Sequence, residues 1–331
     1  MKICAYGVRG DEVPYFQQWA ARTENLVTLH PDYLTPQTLA LAHGCDAVTS
    51  FQTVPYASDL FTLMAASHLP YLALRNVGYE NVDLKAAAAN HIRISNVPAY
   101  SPEAIAEFTL MSMLYLLRQA GAVQTALHDT DYQLAKTFIG RELGHCTVGV
   151  VGTGRIGQAV MQMLAGFGAR ILITDTHLPT RTGLTYTPVP LTKLLEESDI
   201  VTLHVPGIAA NNHLIDDAAI RRMKPGALLI NTARPNIIDT AALLHHLRSG
   251  KLGGVAIDTF EHEAADLLQL TAGETFSDPL WDELLAMPNV MLSPHIAYYT
   301  DTAVAQMVEQ ALDNLVAFGQ GRSVAAELTA G

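Results

Sequence analysis

Short apolar runs alternate with longer stretches of mixed polarity along the whole chain. The runs at residues 3–6, 27–30, 47–50, 71–75 and 92–97 have the length and side-chain types of buried strands. Between them, residues 15–22, 36–43 and 59–67 carry helical spacing. Strand and helix in alternation predict a parallel sheet covered by helices. The segment Asn96-Val97-Pro98-Ala99-Tyr100-Ser101-Pro102 then interrupts the pattern, because two prolines hold it extended. Ser101 can cap a helix whose first residue is Pro102, and Glu103 suits its positive end. That helix is expected to run to about Gln119 and to lead from one domain into the next.

A second strand-helix series starts at Thr147. Strands are predicted at residues 148–151, 170–174, 200–204, 227–231, 255–257 and 290–292, and a last helix at 302–318. That last helix is expected to return to the first domain, so that the domains are joined by two crossings. Such a doubly connected hinge permits closure of one domain on the other. The chain has no internal repeat and no low-complexity tract.

Length and charge narrow the reading further. The 331 residues suffice for two domains. Apolar residues make up 49% and charged residues 16%, which excludes a largely disordered chain. Twenty Lys and Arg against thirty-two Asp and Glu give a net charge of −12. That balance argues against nucleic acid and against an anionic membrane surface as partners, since both need Lys and Arg. No apolar run approaches the ~18 residues of a membrane helix. The longest, residues 109–117, ends at Arg118. The opening residues are too short a run for a signal peptide and read as a first strand. Cys4, Cys45 and Cys146 are odd in number, far apart and without a CxxC pair. No disulfide framework and no metal site is expected, and a cytoplasmic, reducing location is.

The sharpest local motif is Gly152-Thr153-Gly154-Arg155-Ile156-Gly157, after the apolar run Val148-Gly149-Val150-Val151 and before a helical stretch reaching about Phe167. This is the context a dinucleotide fingerprint requires. Gly152 permits the tight turn, Gly154 lets the backbone approach a pyrophosphate, and Gly157 lets helix and strand pack closely. Asp175 stands 18 residues beyond Gly157, at the end of the next strand. A carboxylate there binds a ribose 2′-hydroxyl and repels a 2′-phosphate, which favours NAD over NADP. Arg181, six residues on, reads as a solvated loop residue. A mid-chain fingerprint favours a substrate domain ahead of a nicotinamide domain, rather than an FAD protein.

Three polar residues stand after successive predicted strands: Arg234, Glu263 and His295. Ligands of doubly wound sheets bind beyond such strand ends. Reduction of a 2-oxo acid needs a planar fork donor for the carboxylate, which Arg supplies. It needs a proton for the keto oxygen, which His supplies near neutral pH. A neighbouring carboxylate orients the imidazole and favours its charged form. Glu261 competes with Glu263 for that last place.

The stretches Asn231-Thr232-Ala233-Arg234-Pro235-Asn236, Gly254-Val255-Ala256-Ile257-Asp258 with Glu263, and Ser293-Pro294-His295-Ile296-Ala297-Tyr298-Tyr299-Thr300 resemble the D-isomer-specific 2-hydroxyacid dehydrogenases. So do Arg75-Asn76-Val77-Gly78-Tyr79-Glu80-Asn81-Val82-Asp83, the segment 96–102 and the opening 1–15. The resemblance spans essentially the whole chain and is greatest to the bacterial D-2-hydroxyisocaproate and D-lactate dehydrogenases. It implies two doubly wound, parallel-sheet, Rossmann-like α/β domains with a cleft between them. Residues 1–100 with 300–331 would form a substrate-binding domain, and 101–299 an NAD-binding domain. It implies a homodimer, the D stereochemistry, and catalysis by Arg234 on the substrate, His295 as acid/base and Glu263 as its partner. Val77 and Gly78 would help hold the carboxylate through their N–H groups. Gly152, Gly154, Arg155, Ile156, Gly157, Asp175, Val205, Pro206, Asn211, Thr232, Ala233 and Asp258 would contact NAD. One departure is Arg155, where relatives often carry His; Arg serves as well over a pyrophosphate.

The substrate side chain would meet position 51, Tyr100 and Tyr298. Tyr298 and the stretch 293–300 resemble the hydroxyisocaproate type, whereas the aromatic Phe51 resembles the lactate type. A wholly apolar wall discriminates by only ~1–3 kcal/mol per methylene. Overlapping use of pyruvate and of branched or aromatic 2-oxo acids is therefore expected. A binding protein of the same fold that senses NADH, as the C-terminal-binding corepressors do, is the competing class. The three catalytic residue types and the short tails favour an enzyme. The length leaves no room for the regulatory domain usual in phosphoglycerate dehydrogenases, and formate dehydrogenase would need a different first-domain pocket.

Overall fold

The computed structural model describes residues 1–179, 181, 183–261, 263 and 275–329. The chain divides into two compact units, Met1–Ser101 with Tyr299–Gly331, and Pro102–Tyr298. Each is an α/β unit built on its own, mainly parallel sheet.

In the first unit, strands β1 (Lys2–Tyr6), β2 (Leu26–Leu29), β3 (Ala47–Ser50), β4 (Tyr71–Leu74) and β5 (Arg93–Ser95) pair in parallel in the order β5-β4-β3-β1-β2. Side chains alternate across the sheet with period two. Cys4, Tyr6, Val48, Leu72 and Leu74 meet Leu60, Phe61 and Met64 of the helix Leu60–Ala66 on one face. Ile3, Ala5, Ala47 and Ala73 meet Phe16 and Trp19 on the other, together with Val308, Leu312 and Phe318 of the helix Asp301–Gly319. Both faces of β1, β3 and β4 are covered, which is why these strands read as continuous apolar runs, whereas the edge strand β2 stays partly exposed. The order reverses between β1 and β3, so the loops after those strands flank the switch point where such sheets bind ligands.

Some elements differ from the sequence reading. Residues 36–43 form only a 3-10 turn at Leu39–Ala42. Thr35 and Thr38 exchange backbone-to-hydroxyl hydrogen bonds, and the Thr38 hydroxyl donates to the Tyr33 carbonyl (2.6 Å). Hydroxyls that engage the local backbone in this way compete with helix formation. A terminal strand, Glu327–Leu328, pairs antiparallel to β5. It is two residues long and has no pattern to announce it; the ion pair of Arg93 with Glu327 (2.7 Å) fastens it.

In the second unit, β6 (Thr147–Val151), β7 (Arg170–Thr174), β8 (Thr187–Pro188), β9 (Ile200–Leu203), β10 (Ala227–Asn231), β11 (Leu252–Ile257) and β12 (Val290–Leu292) are all parallel. Their order is β12-β11-β10-β9-β6-β7-β8. The helix Pro102–Leu117 packs here, its Ala106, Met113 and Leu116 sharing a core with Val148, Val150 and the helix Arg155–Phe167. The reversal of strand order falls between β6 and β9, directly after which stand the glycine turn and His204.

Candidate active site

The glycine turn has the geometry its sequence demands. Gly152 has φ +93°, and a Cβ there would lie 2.6 Å from the His204 carbonyl oxygen. A Cβ on Gly157 would stand 2.1 Å from the Gly152 carbonyl oxygen, so strand and helix can approach only with glycine at both places. At Gly154 a Cβ would meet nothing within 4 Å. That open approach, at the N-terminus of the thirteen-residue helix Arg155–Phe167, suits a pyrophosphate. Arg155 is exposed and Ile156 half-buried beside it.

Asp175 closes the turn from the end of β7. Thr153 donates to it through its backbone N–H and its hydroxyl (3.1 Å), and His177 through its N–H (3.1 Å). Burial raises the Asp175 carboxyl, but these donors outweigh it and hold it below the usual carboxylate range. An exposed carboxylate kept charged there fits the hydroxyls of an NAD ribose and disfavours a 2′-phosphate. Arg181, the nearest candidate for the opposite preference, is engaged by Gln162 and pairs with Glu103 (3.8 Å).

After β9 the segment 205–211 leaves the sheet, with Asn211 Nδ2 donating to the Pro206 carbonyl (2.8 Å). Val205 is half-buried and Pro206 exposed. Thr232 directly follows β10 and is buried, its hydroxyl 3.0 Å from that of Thr109. Thr109 spends its proton on the Ile105 carbonyl (2.8 Å), so Thr232 is the donor of the pair and keeps its lone pairs. Asn231 folds the next turn: it accepts from Ala233 N–H (3.0 Å) and donates to the Arg234 carbonyl (2.9 Å). This turn presents the half-buried Arg234, whose guanidinium donates to the Ala233 carbonyl (2.8 Å). Gly207 makes room for it, since a Cβ there would come within 2.9 Å of Arg234 Cγ.

The parallel pairing of β10, β11 and β12 brings Arg234, Glu263 and His295 to neighbouring strand ends. It is Glu263, not the exposed Glu261, that reaches the histidine: Glu263 Oε1 lies 2.5 Å from His295 Nδ1. Its other oxygen accepts from Phe260 N–H (3.0 Å), which fixes the carboxylate plane. His295 sits at φ +56°, a left-handed conformation uncommon outside glycine. Its N–H donates to the Asp258 carbonyl (2.8 Å). The Asp258 carboxylate, 1% exposed, accepts from Ser293 Oγ (2.5 Å), Ile296 N–H (2.9 Å) and Ala297 N–H (2.9 Å). Burial pushes this carboxyl up despite those donors. Asp258 therefore holds the turn that presents the histidine. The Tyr298 ring stands edge-on to the imidazole, with centroids 6.1 Å apart.

In the first unit the substrate-side candidates follow adjacent strands. Phe51 leaves β3, half-buried; its backbone lies against Gly7, where φ is +62° and a Cβ would stand 2.1 Å from the Phe51 carbonyl oxygen. Val77 and Gly78 lie on the loop after β4, each carbonyl held by an asparagine: Asn96 donates to Val77 (2.7 Å) and Asn76 to Gly78 (2.6 Å). Tyr100 is half-buried beside the second core of this unit.

Sequence reasoning missed the groups that support these loops. Arg75 and Glu12 are both fully buried and joined at 2.9 Å, and Arg75 also donates to the Tyr6 (3.0 Å) and Gly7 (3.2 Å) carbonyls. A charged residue at a strand end reads as surface when its partner lies 63 residues away. Arg9 likewise carries no signal in the sequence, although its guanidinium lies over the Phe51 ring.

Four likenesses to known proteins accord with this geometry. A family model described as the NAD binding domain of D-isomer specific 2-hydroxyacid dehydrogenases matches residues 110–297. A D-2-hydroxyacid dehydrogenase (NAD+) of Lacticaseibacillus paracasei is 52% identical over 329 residues, 99% of each chain. A D-lactate/D-glycerate dehydrogenase of Pediococcus acidilactici is 40% identical, over 95% of each. The solved structure of a D-2-hydroxyisocaproate dehydrogenase superposes with a TM-score of 0.95 at 52% identity, covering 100% of both chains.

Proposed function

The chain belongs to the D-isomer-specific 2-hydroxyacid dehydrogenases and uses NAD, and from that premise we propose that it reduces branched-chain 2-oxo acids, with pyruvate as an overlapping substrate, through Arg234, Glu263 and His295. In this reading the first unit binds the substrate and the second binds NAD. NADH, when bound, supplies the hydride. The chain's own residues do the rest. The Arg234 fork holds the substrate carboxylate, helped by the N–H groups of Val77 and Gly78. His295 Nε2 gives its proton to the keto oxygen as charge develops there, and takes one back from the hydroxyl in the reverse direction. Glu263 accepts the Nδ1 proton and so fixes the ring's tautomer and aim. Gly152, Gly154, Gly157, Arg155 and Ile156 hold the pyrophosphate, and Asp175 the ribose. Val205, Pro206, Asn211, Thr232, Ala233 and Asp258 line the remainder of the cofactor site.

The observation that carries this reading is the 2.5 Å contact of Glu263 with Nδ1, which leaves Nε2 as the nitrogen for substrate. Likeness to a D-2-hydroxyisocaproate dehydrogenase supports the branched-chain preference. Phe51 supports the alternative, a D-lactate dehydrogenase. NADH oxidation with pyruvate, 2-oxoisocaproate and phenylpyruvate in parallel decides: the proposal expects 2-oxoisocaproate to give the highest kcat/KM, and dominance of pyruvate makes the enzyme a D-lactate dehydrogenase.

A homodimer is part of the same proposal. Met111, Leu127, Tyr132, Leu134 and Ile139 are large apolar side chains exposed within 111–139, Ile139 at 85%. Exposed apolar side chains on one stretch support a partner surface. Sedimentation equilibrium tests it, with the monomer mass as the contrary result. A cytoplasmic location is supported by three free cysteines. Among the described residues no helix is long and apolar enough to cross a membrane.

A further inference from the structure

We propose that Arg9 is a positioning residue for substrate selectivity, acting by clamping the Phe51 ring. The inference rests on the reading of Phe51 as a wall of the substrate side-chain pocket. The Arg9 guanidinium carbon lies 4.6 Å from the centroid of the Phe51 ring and 5.2 Å from that of Tyr299. Both distances are within the ~6 Å over which a cation is drawn to a ring face.

Arg9 is itself fixed. Its N–H donates to Glu12 Oε2 (2.9 Å), and its guanidinium lies 3.4 Å from Asp11 Oδ2 and 3.9 Å from Glu12 Oε2. Glu12 is fully buried by its bond to Arg75. One chain of ionic contacts thus ties the loop after β1 to the end of β4, next to Val77 and Gly78. The stacked guanidinium extends it to the loop after β3 and to Tyr299, where the chain re-enters this unit.

The Phe51 backbone is already seated against Gly7, so what remains to be fixed is its half-buried ring. An unstacked Phe51 side chain can turn about χ1 into another staggered position. Arg9 selects one. The wall is then firm against a branched side chain rather than yielding to it. Arginine suits the task better than lysine because its planar guanidinium stacks on a ring while its edges still bind carboxylates.

The test compares kcat/KM for 2-oxoisocaproate with that for pyruvate in the full-length enzyme and in Arg9→Met, Arg9→Lys, Phe51→Leu and Arg9→Met/Phe51→Leu. Arg9→Met is expected to raise the ratio about fivefold, of the order a cation–ring contact supplies. Arg9→Lys should raise it less. In the Phe51→Leu background Arg9→Met should add nothing, because the ring it holds is gone. A loss of rate equal for both acids, with the ratio unchanged in Arg9→Met and in Arg9→Lys, overturns the proposal. So does an equal shift in both backgrounds, which would mean that Arg9 acts without Phe51. If Phe51→Leu alone leaves the ratio unchanged, the reading of Phe51 as a wall falls and takes the clamp with it. A shift in Phe51→Leu with none in Arg9→Met removes the clamp alone.

Discussion

Glu263 Oε1 and His295 Nδ1 lie 2.5 Å apart, on loops that leave neighbouring parallel strands. The contact gives the imidazole one tautomer and one direction. Glu263 is locked in turn by Phe260 N–H, and the histidine backbone by Asp258. Replacing Glu263 by Gln keeps the volume and removes the charge, and the amide can hold the ring in the wrong tautomer. Glu263→Gln is expected to lower turnover roughly 10²-fold or more while NADH affinity stays within about twofold. Steady-state kinetics with fluorescence titration of NADH checks both halves.

Asp175 is held charged by Thr153 and His177 at the end of β7, and the proposed function gives it the cofactor ribose. Asp175→Ala should weaken NADH about tenfold and improve NADPH, narrowing the preference between them. The check is KM for both cofactors at one substrate concentration. Unchanged discrimination would place the ribose elsewhere.

Arg75 and Glu12 form a fully buried pair at the loops of the first unit. Removing one partner strands the other's charge, which typically costs about 3–5 kcal/mol. Arg75→Met is expected to lower unfolding stability by that amount, and Arg75→Met/Glu12→Leu to recover most of it. Urea unfolding of the single and double variants reads this directly.

His204 lies at the end of β9 with its Nε2 3.0 Å from Thr202 Oγ1, and burial lowers its pKa to about 3. In the unfolded chain it titrates near 6.5, so between those values the unfolded state binds a proton that the folded state does not. Its contribution is present above pH ~6.5 and is lost as pH falls toward ~3. His204→Gln should therefore flatten the loss of stability between pH 7 and pH 5. Urea midpoints across that window test it, and an unchanged slope would speak against a histidine kept neutral by the fold.

Much of the candidate site is readable from local spacing. The glycine turn is legible because Gly157 answers to the backbone of its own strand-turn-helix unit, although the His204 carbonyl that crowds Gly152 comes from a strand far along the chain. Arg234, Glu263 and His295 are visible for the same reason, since each follows a strand whose apolar run marks where its loop begins. What lies beyond sequence is long-range pairing. Nothing at Arg75 announces Glu12, and nothing at Phe51 announces Arg9, because charges are matched across loops only once the sheet order is set. Residues 36–43 mislead because their spacing is helical while two threonine hydroxyls hold the backbone in a tighter turn.

The central claim is proton transfer by His295, and the most direct measurement is NADH oxidation with 2-oxoisocaproate by the parent enzyme and by His295→Gln, both saturated with NADH as shown by titration. The account predicts a fall of roughly 10²–10⁴ in turnover with NADH binding intact. Near-parental turnover in His295→Gln would contradict it and remove the histidine from the reaction.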